Sequence, residues 1–480
     1  MLKRLGRDVA IYGAGEFLFK FMAFAVFPIY AHVFSLAEFG IWSLLTVSTG
    51  LLGLIMNVGV NQAVQRFYLD SGTAPEDEAK VVSTGLFQLL LSGMLMVGVA
   101  ALILGSSSGW LEQGFGIDRW LLALALAAVI PDQIQQFCLD TLRLHFTPFR
   151  FIALSFAKNL VGTALSLWFV LGLAGGLHGL FAGALLGSLA ALPLALWFIR
   201  RDLAWHFDTK LARRFLGFGY PLLFTAVAGW LYASLDRWML VDLSSAEELG
   251  LFSVAAKYAT VVLFMIVAFG QAWSPFAIRL MRDDPDHRAH YSRIFSLWFF
   301  VLAMAGLALA LFSQEALMAL TPPDYWAASG VLPFLSAGLV LYGTTLITAL
   351  GLTLEKKTVF LGYGAWIAAL CNFLLNLALI PRLGALGAAI ATLLSYGILT
   401  SAFLLWSQRF FPLVLERGKL LYCCGLVAAC LLPGLIGSGE PSLATIALKL
   451  LLLLLATAGA VAVGILDRSH LRLIRARGAE

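Results

Sequence analysis

Ser35-Leu36-Ala37-Glu38-Phe39-Gly40-Ile41-Trp42-Ser43 opens an apolar run that continues, with few polar interruptions, as far as Gln65. A run of this length meets the ~20 mostly apolar residues that a helix needs to cross a hydrocarbon core. The stretch 39–65 therefore reads as a transmembrane helix. The pattern recurs: Ser244-Ser245-Ala246-Glu247-Glu248-Leu249-Gly250-Leu251-Phe252-Ser253 repeats Glu-apolar-Gly-apolar-aromatic-Ser at an offset of 210 residues. A second echo pairs Gly179-Leu180-Phe181-Ala182-Gly183-Ala184 with Gly384-Ala385-Leu386-Gly387-Ala388-Ala389, displaced by 205 to 208 residues.

Composition extends this reading to the whole chain. Of 480 residues, 61% are hydrophobic and only 12% charged, with a mean hydropathy of +0.90. A soluble domain carries about a quarter charged residues, so this chain is solvated by lipid. Apolar runs between polar breaks give fourteen spans: 9–31, 39–65, 81–104, 119–138, 150–171, 177–199, 215–241, 249–273, 292–313, 330–351, 359–380, 386–407, 419–437 and 444–466. The basic stretch Met1–Arg7 before the first run resembles a signal peptide. Glu16 and Lys20 within that run, and the absence of a cleavage-site pattern, favour a first transmembrane helix.

Charge placement tests the count independently. With the N-terminus inside, 25 of the 32 Lys and Arg fall in cytoplasmic loops and tails, Arg119 and Arg382 fall outside, and Lys20, Lys158, Arg237, Lys257 and Lys449 lie within spans. Such an inward excess is the topological signature of a membrane protein. The net charge of +5 therefore reflects topology and not a nucleic-acid-binding face. Both termini are expected in the cytoplasm of an inner (plasma) membrane. The longest polar connections, Arg200–Arg214, Arg279–Arg293 and Gly105–Asp118, are about fifteen residues each. No metalloprotease, nucleophile-elbow or P-loop motif occurs. The chain is expected to be neither an enzyme nor its own ATP-driven motor, and to need no cofactor. The five cysteines lie in or beside apolar segments without metal-ligand spacing, so they read as core residues and no metal is expected.

The repeat spans six helices, an even number, so its two halves share one membrane orientation. Parallel repeats make two lobes about an axis along the membrane normal. The expected organisation is a six-helix lobe over 1–205, a second over 206–408, and two further helices with a basic tail over 409–480. Gly179, Gly183 and Gly187 recur every four residues in the sixth span, a small-residue face for close helix packing.

Three groups of residues carry a family resemblance. The first runs from Gly15-Glu16-x-x-x-Lys20 through Phe27-Pro28-Ile29-Tyr30 to Glu38-Phe39-Gly40. The second is Gly59-x-x-Gln62-Ala63-Val64-Gln65-Arg66-Phe67-Tyr68. The third comprises Leu235-Asp236-Arg237-Trp238-Met239-Leu240, Glu248-x-Gly250 and Ala255-Ala256-Lys257-Tyr258. Along nearly the whole chain this is similar to Wzx-type O-antigen and exopolysaccharide flippases, the oligosaccharide branch of the multidrug/oligosaccharidyl-lipid/polysaccharide (MOP) exporter superfamily. The resemblance implies an all-α bundle with a V-shaped central cavity lined by the first, second, seventh and eighth spans. The implied substrate is a polyprenyl-(pyro)phosphate-linked oligosaccharide, moved by alternating access in a bacterial inner membrane for surface polysaccharide synthesis, with glycan polymerase or assembly proteins as partners. Peptidoglycan-precursor flippases usually carry an Arg-Gly-Asp-like cluster where this chain has Glu16 and Lys20, and drug exporters of the related antiporter family usually stop at twelve helices. The alternative readings are a cation-coupled exporter of drugs or small amphiphiles, and a non-transporting scaffold for glycan assembly.

The residues point the same way. An ionisable group at membrane depth costs at least ~2.5–3.5 kcal/mol and is a functional candidate by default. A lipid-linked sugar carries an anionic phosphate, which Arg engages as a bidentate fork and Lys as a point charge. Lys20, Arg66, Arg237 and Lys257 are the candidates for that contact. Each but Lys257 has a plainer reading: Lys20 pairs with Glu16 four residues before it, Arg237 pairs with Asp236 or snorkels to the headgroups, and Arg66 is a topology charge. Lys158 beside Asn159 is a weaker candidate, and Lys449 reads as lipid-facing or peripheral. Asn57, Asn61 and Gln65, four residues apart, would share one helix face and meet sugar hydroxyls. Asp132, Gln136 and Asp140 repeat the pattern, as do Asn372 and Asn376, for which helix-to-helix ties are the preferred reading. Glu16, Asp132 and Asp236 are the candidate carriers of a coupling proton or sodium ion.

Overall fold

The computed structural model describes residues 22–70, 75–106, 117–145, 147–204, 206–433 and 442–466. Glu16 and Lys20 lie outside the described residues. Every described element is helical, as lipid requires, because a helix satisfies its own backbone groups where no water can. The chain divides into two compact units, Met1–Arg237 and Trp238–Glu480. Eleven described helices are long and apolar enough to cross a membrane.

The first unit comprises α1 (Phe27–Ala31), α2 (Leu36–Asn57), α3 (Val60–Asp70), α4 (Pro75–Ser106), α5 (Arg119–Leu144), α6 (Pro148–Leu167), α7 (Gly176–Ile199) and most of α8 (Thr209–Leu243). Ser35 and Glu38 open α2 with a capping box, in which Ser35 N–H donates to Glu38 Oε2 at 2.8 Å and Glu38 N–H to Ser35 Oγ at 3.3 Å. The core gathers Met56, Val64, Leu89, Phe137, Leu142, Leu154 and Phe215 from α2, α3, α4, α5, α6 and α8. The small face of α7 packs as its spacing implies. A Cβ at Gly183 would stand 2.3 Å from the Ser166 backbone and one at Gly187 2.3 Å from that of Gly162, both on α6.

The second span departs from expectation. It is not one helix over 39–65 but breaks between α2 and α3, where Val58 has φ 46° and Gly59 has φ 71°. The cause is a backbone-to-backbone crossing with α8. A Cβ at Gly219 would lie 1.9 Å from the Val58 carbonyl oxygen, and one at Gly59 2.6 Å from Gly219 Cα. Further along, Trp230 Nε1 donates to Val47 O at 3.2 Å, so α8 runs antiparallel to the α2–α3 pair.

The second unit continues with α9 (Ala246–Asp283), α10 (His287–Leu311), α11 (Ser313–Leu320), α12 (Leu332–Thr348), α13 (Leu350–Leu354), α14 (Val359–Phe410), α15 (Arg417–Cys430) and α16 (Leu443–Ala462). The polar connection Arg279–Arg293 is largely helix here, because α9 runs to Asp283 and α10 starts at His287. Gly384, with φ 53° and ψ −129°, divides α14 into two arms, 359–383 and 385–410. Glu248 fills that kink: its Oε2 accepts Ala385 N–H at 2.7 Å, and a Cβ on Gly384 would collide with it. A looser parallel occurs in the first unit, without the hydrogen bond. Gly176, also at φ 53°, opens α7, and Glu38 Oε1 lies 3.9 Å from where its Cβ would be. Gly176 is thus the counterpart of Gly384, an offset of 208 residues (384 − 176), three positions before the Gly179 that the sequence pattern aligns with it.

Candidate functional site

In the first unit the polar side chains of α3 and α5 converge on Asp140. Its Oδ2 accepts Asn61 Nδ2 at 2.6 Å, and its Oδ1 accepts Gln136 Nε2 at 3.2 Å and Arg143 Nη1 at 3.3 Å. Asn61 is buried, and its Oδ1 has no hydrogen-bond partner among the described residues. The helix break changes what Asn57 does. It is the last residue of α2, and its Oδ1 accepts Asn61 N–H at 3.2 Å, which caps the start of α3. Asn57, Asn61 and Gln65 therefore do not form the straight stripe expected from i+4 spacing. Arg66 lies exposed on α3.

The coupling candidates of this unit have basic partners. Asp132 Oδ1 stands 2.5 Å from Lys158 Nζ, which ties α5 to α6. Asp236 is buried, and its Oδ1 accepts Arg237 N–H at 2.9 Å and Arg237 Nη1 at 3.3 Å. Adjacent residues on a helix do not face each other, so this guanidinium folds back along α8. It also donates from Nη1 to Ala233 O at 2.8 Å and from Nε to Ser43 Oγ at 3.3 Å. Arg237 is a locked cation.

In the second unit Lys257 differs. It follows the start of α9 by eleven residues, about 16 Å along the helix at ~1.5 Å per residue. It is half-buried and forms no ion pair among the described residues. On the adjacent face Tyr258 Oη donates to Ala316 O at 3.2 Å, which ties α9 to α11. An unpaired ammonium at this depth is expensive unless it meets water or an anion.

Two pairings lay hidden in the sequence. Lys449 on α16 is not peripheral: its Nζ stands 2.5 Å from Glu315 Oε1 on α11 and over the Phe312 ring at 5.7 Å. The signal was available, since an acid and a base in neighbouring apolar surroundings must seek each other. His145, at the end of α5, lies 3.1 Å from Asp202. Asn372 and Asn376 are both buried, and Asn376 Nδ2 donates to Asn372 Oδ1 at 3.0 Å within α14, so they bond to each other along one helix instead of tying two helices together. Among the described residues no group of three or more His, Cys, Asp or Glu is placed to hold a metal ion.

The described residues form an all-α polytopic fold in which acid–base pairs tie neighbouring helices together. The fold matches that of "Lipid II flippase MurJ, inward closed conformation", with a TM-score of 0.74 at 15% identity over 94% of this chain and 98% of that one. It also matches an inward-facing multidrug resistance MATE family transporter of the MOP superfamily, with a TM-score of 0.64 at 13% identity over 85% of this chain and 97% of that one. Residues 5–281 match the family described as "Polysaccharide biosynthesis protein", and the chain belongs to that family. The capsular polysaccharide biosynthesis protein CapF of Staphylococcus aureus is 23% identical over 229 residues, 45% of this chain, and the match spans 56% of CapF.

Proposed function

We propose that this chain is a flippase that carries a polyprenyl-(pyro)phosphate-linked oligosaccharide from the cytoplasmic to the external leaflet by alternating access, without covalent chemistry. Lys257 carries the reading. A half-buried ammonium deep in α9, with no carboxylate beside it among the described residues, has a reason to exist if an anion visits it. The phosphate of a lipid-linked sugar is such an anion, and the family's place in polysaccharide biosynthesis supports the choice. The amides and carboxylate around Asp140 suit the hydroxyls of the sugar portion. Asp132 and Asp236, each beside a base, are the coupling residues proposed among those described, for a proton or a sodium ion.

The test is glycan export in a deletion strain complemented by wild type, Lys257→Gln or Lys257→Arg. The expected result is loss of surface glycan with Lys257→Gln, accumulation of lipid-linked repeat units inside, and partial recovery with Lys257→Arg. Full export by Lys257→Gln at wild-type protein level would remove the lysine from the binding role. Normal glycan in the deletion strain, in a host without a paralogue, would overturn the flippase reading in favour of small-amphiphile export.

A further inference from the structure

The first unit has a cavity of about 540 Å³ unrelated to the polar cluster at Asp140. Phe87 and Leu90 of α4, Ile134 of α5 and Pro193 of α7 supply its apolar walls, and Trp197 and Arg200 stand at the end of α7. Arg200 is the one charged residue among those lining it. Its guanidinium lies over the Trp197 ring, 5.0 Å from the centroid, and forms no ion pair among the described residues. The other polar wall residue, Ser83, is engaged by Ala204 N–H at 2.7 Å. The cavity therefore has an apolar body and a single uncompensated cation.

Its placement in the membrane follows from the chain. Arg200 begins the basic connection that contains Arg201, Lys210, Arg213 and Arg214, the kind of loop that stays on the cytoplasmic side. Pro193 is seven residues before Arg200 on α7, and Leu90 seven residues beyond Ser83 on α4, so both walls reach ~10 Å into the bilayer from that surface. Trp and Arg at such a level are interface residues. An apolar slot between helices with a basic rim on the cytoplasmic side fits an anionic lipid, with acyl chain in the slot and phosphate on the guanidinium.

We propose that this cavity is a binding site for an anionic bilayer phospholipid, distinct from the transported lipid-linked sugar. The anionic phospholipid is the occupant because such lipids carry the net negative charge of the cytoplasmic leaflet at this depth. A zwitterionic lipid offers the same tails without net charge and gains less from Arg200.

The experiment is native mass spectrometry of the purified full chain mixed with phosphatidylglycerol or phosphatidylcholine of identical acyl chains, and separately with a polyprenyl phosphate. Wild type is expected to retain phosphatidylglycerol at least several-fold more than phosphatidylcholine. Arg200→Gln is expected to abolish that preference, Leu90→Trp to reduce retention of both lipids by filling the slot, and Arg201→Gln, which does not line the cavity, to behave as wild type. Arg200 is exposed, so its replacement leaves the fold intact. An unchanged preference in Arg200→Gln, or an equal loss in Arg201→Gln, overturns the site. Arg200-dependent retention of polyprenyl phosphate above phosphatidylglycerol would overturn the choice of occupant. None of these readings requires transport, so the site can fail while the flippase reading stands.

Discussion

Lys449 and Glu315 have only 13% and 17% of their side chains exposed, so each neutralises a charge that would otherwise be stranded. Removing one partner of a buried pair costs about 3–5 kcal/mol, while replacing both by apolar residues is often neutral. Glu315→Gln is therefore expected to lower the melting temperature of the purified protein by several degrees, and Glu315→Leu with Lys449→Met to restore most of it. A double variant as unstable as the single one would show that the pair contributes through packing and not through charge. His145 gives a pH test outside the membrane. The Asp202 carboxylate beside it raises its pKa above the ordinary histidine value; burial opposes the shift and Glu78 assists it. The pair's stabilisation is fully present below about pH 6.5, where the unfolded histidine is also protonated, and is lost as pH rises through the higher folded value. Thermal unfolding of wild type should weaken over that rise by a component that His145→Gln lacks. An identical pH slope in the two proteins would mean that the histidine does not report the pair.

The crossing of α2–α3 with α8 makes a sharper prediction, because a control lies two residues away. A Cβ at Gly219 meets the Val58 carbonyl, whereas one at Gly217 meets nothing within 4 Å. Gly219→Ala is expected to destabilise by about 1–3 kcal/mol or more and to impair export, since overpacking a close contact forces the backbone apart. Gly217→Ala, which gains helix propensity without a clash, should melt no lower than wild type and leave export unchanged. Helix propensity favours alanine at both positions, so an equal loss in the two variants would overturn the close crossing as the cause. This crossing also marks where the sequence stops being legible at the level of elements. Asn57, Asn61 and Gln65 have helical spacing, and nothing local announces that Val58 adopts a left-handed conformation; the break is imposed by Gly219, some 160 residues away. The small face of α7 was readable because its cause, glycine every four residues, lies within one helix. The pairing of Asp236 with Arg237 was readable from adjacency, whereas that of Asp132 with Lys158 needed the folded chain, since spacing names candidates but not the partner on another helix.

At the scale of the whole molecule, hydropathy and charge bias established the class because lipid leaves only helices as spanning elements. The proposed orientation can be checked with reporter fusions. Fusions at Asp208 and Asp284 should read as cytoplasmic, and those at Ser244 and Asp324 as external. A reversal of any one site would displace every later connection by one crossing. Gly176 and Gly384 share a torsion angle at an offset of 208 residues, each beside the glutamate of its own unit, although the residues around them have diverged. The two units share this backbone torsion although the side chains around it differ. A repeat of six crossings, as the sequence pattern proposes, would let a unit of about 208 residues follow its twin in one chain without inverting either. In that arrangement two glycines and two carboxylates mark equivalent places in the two units.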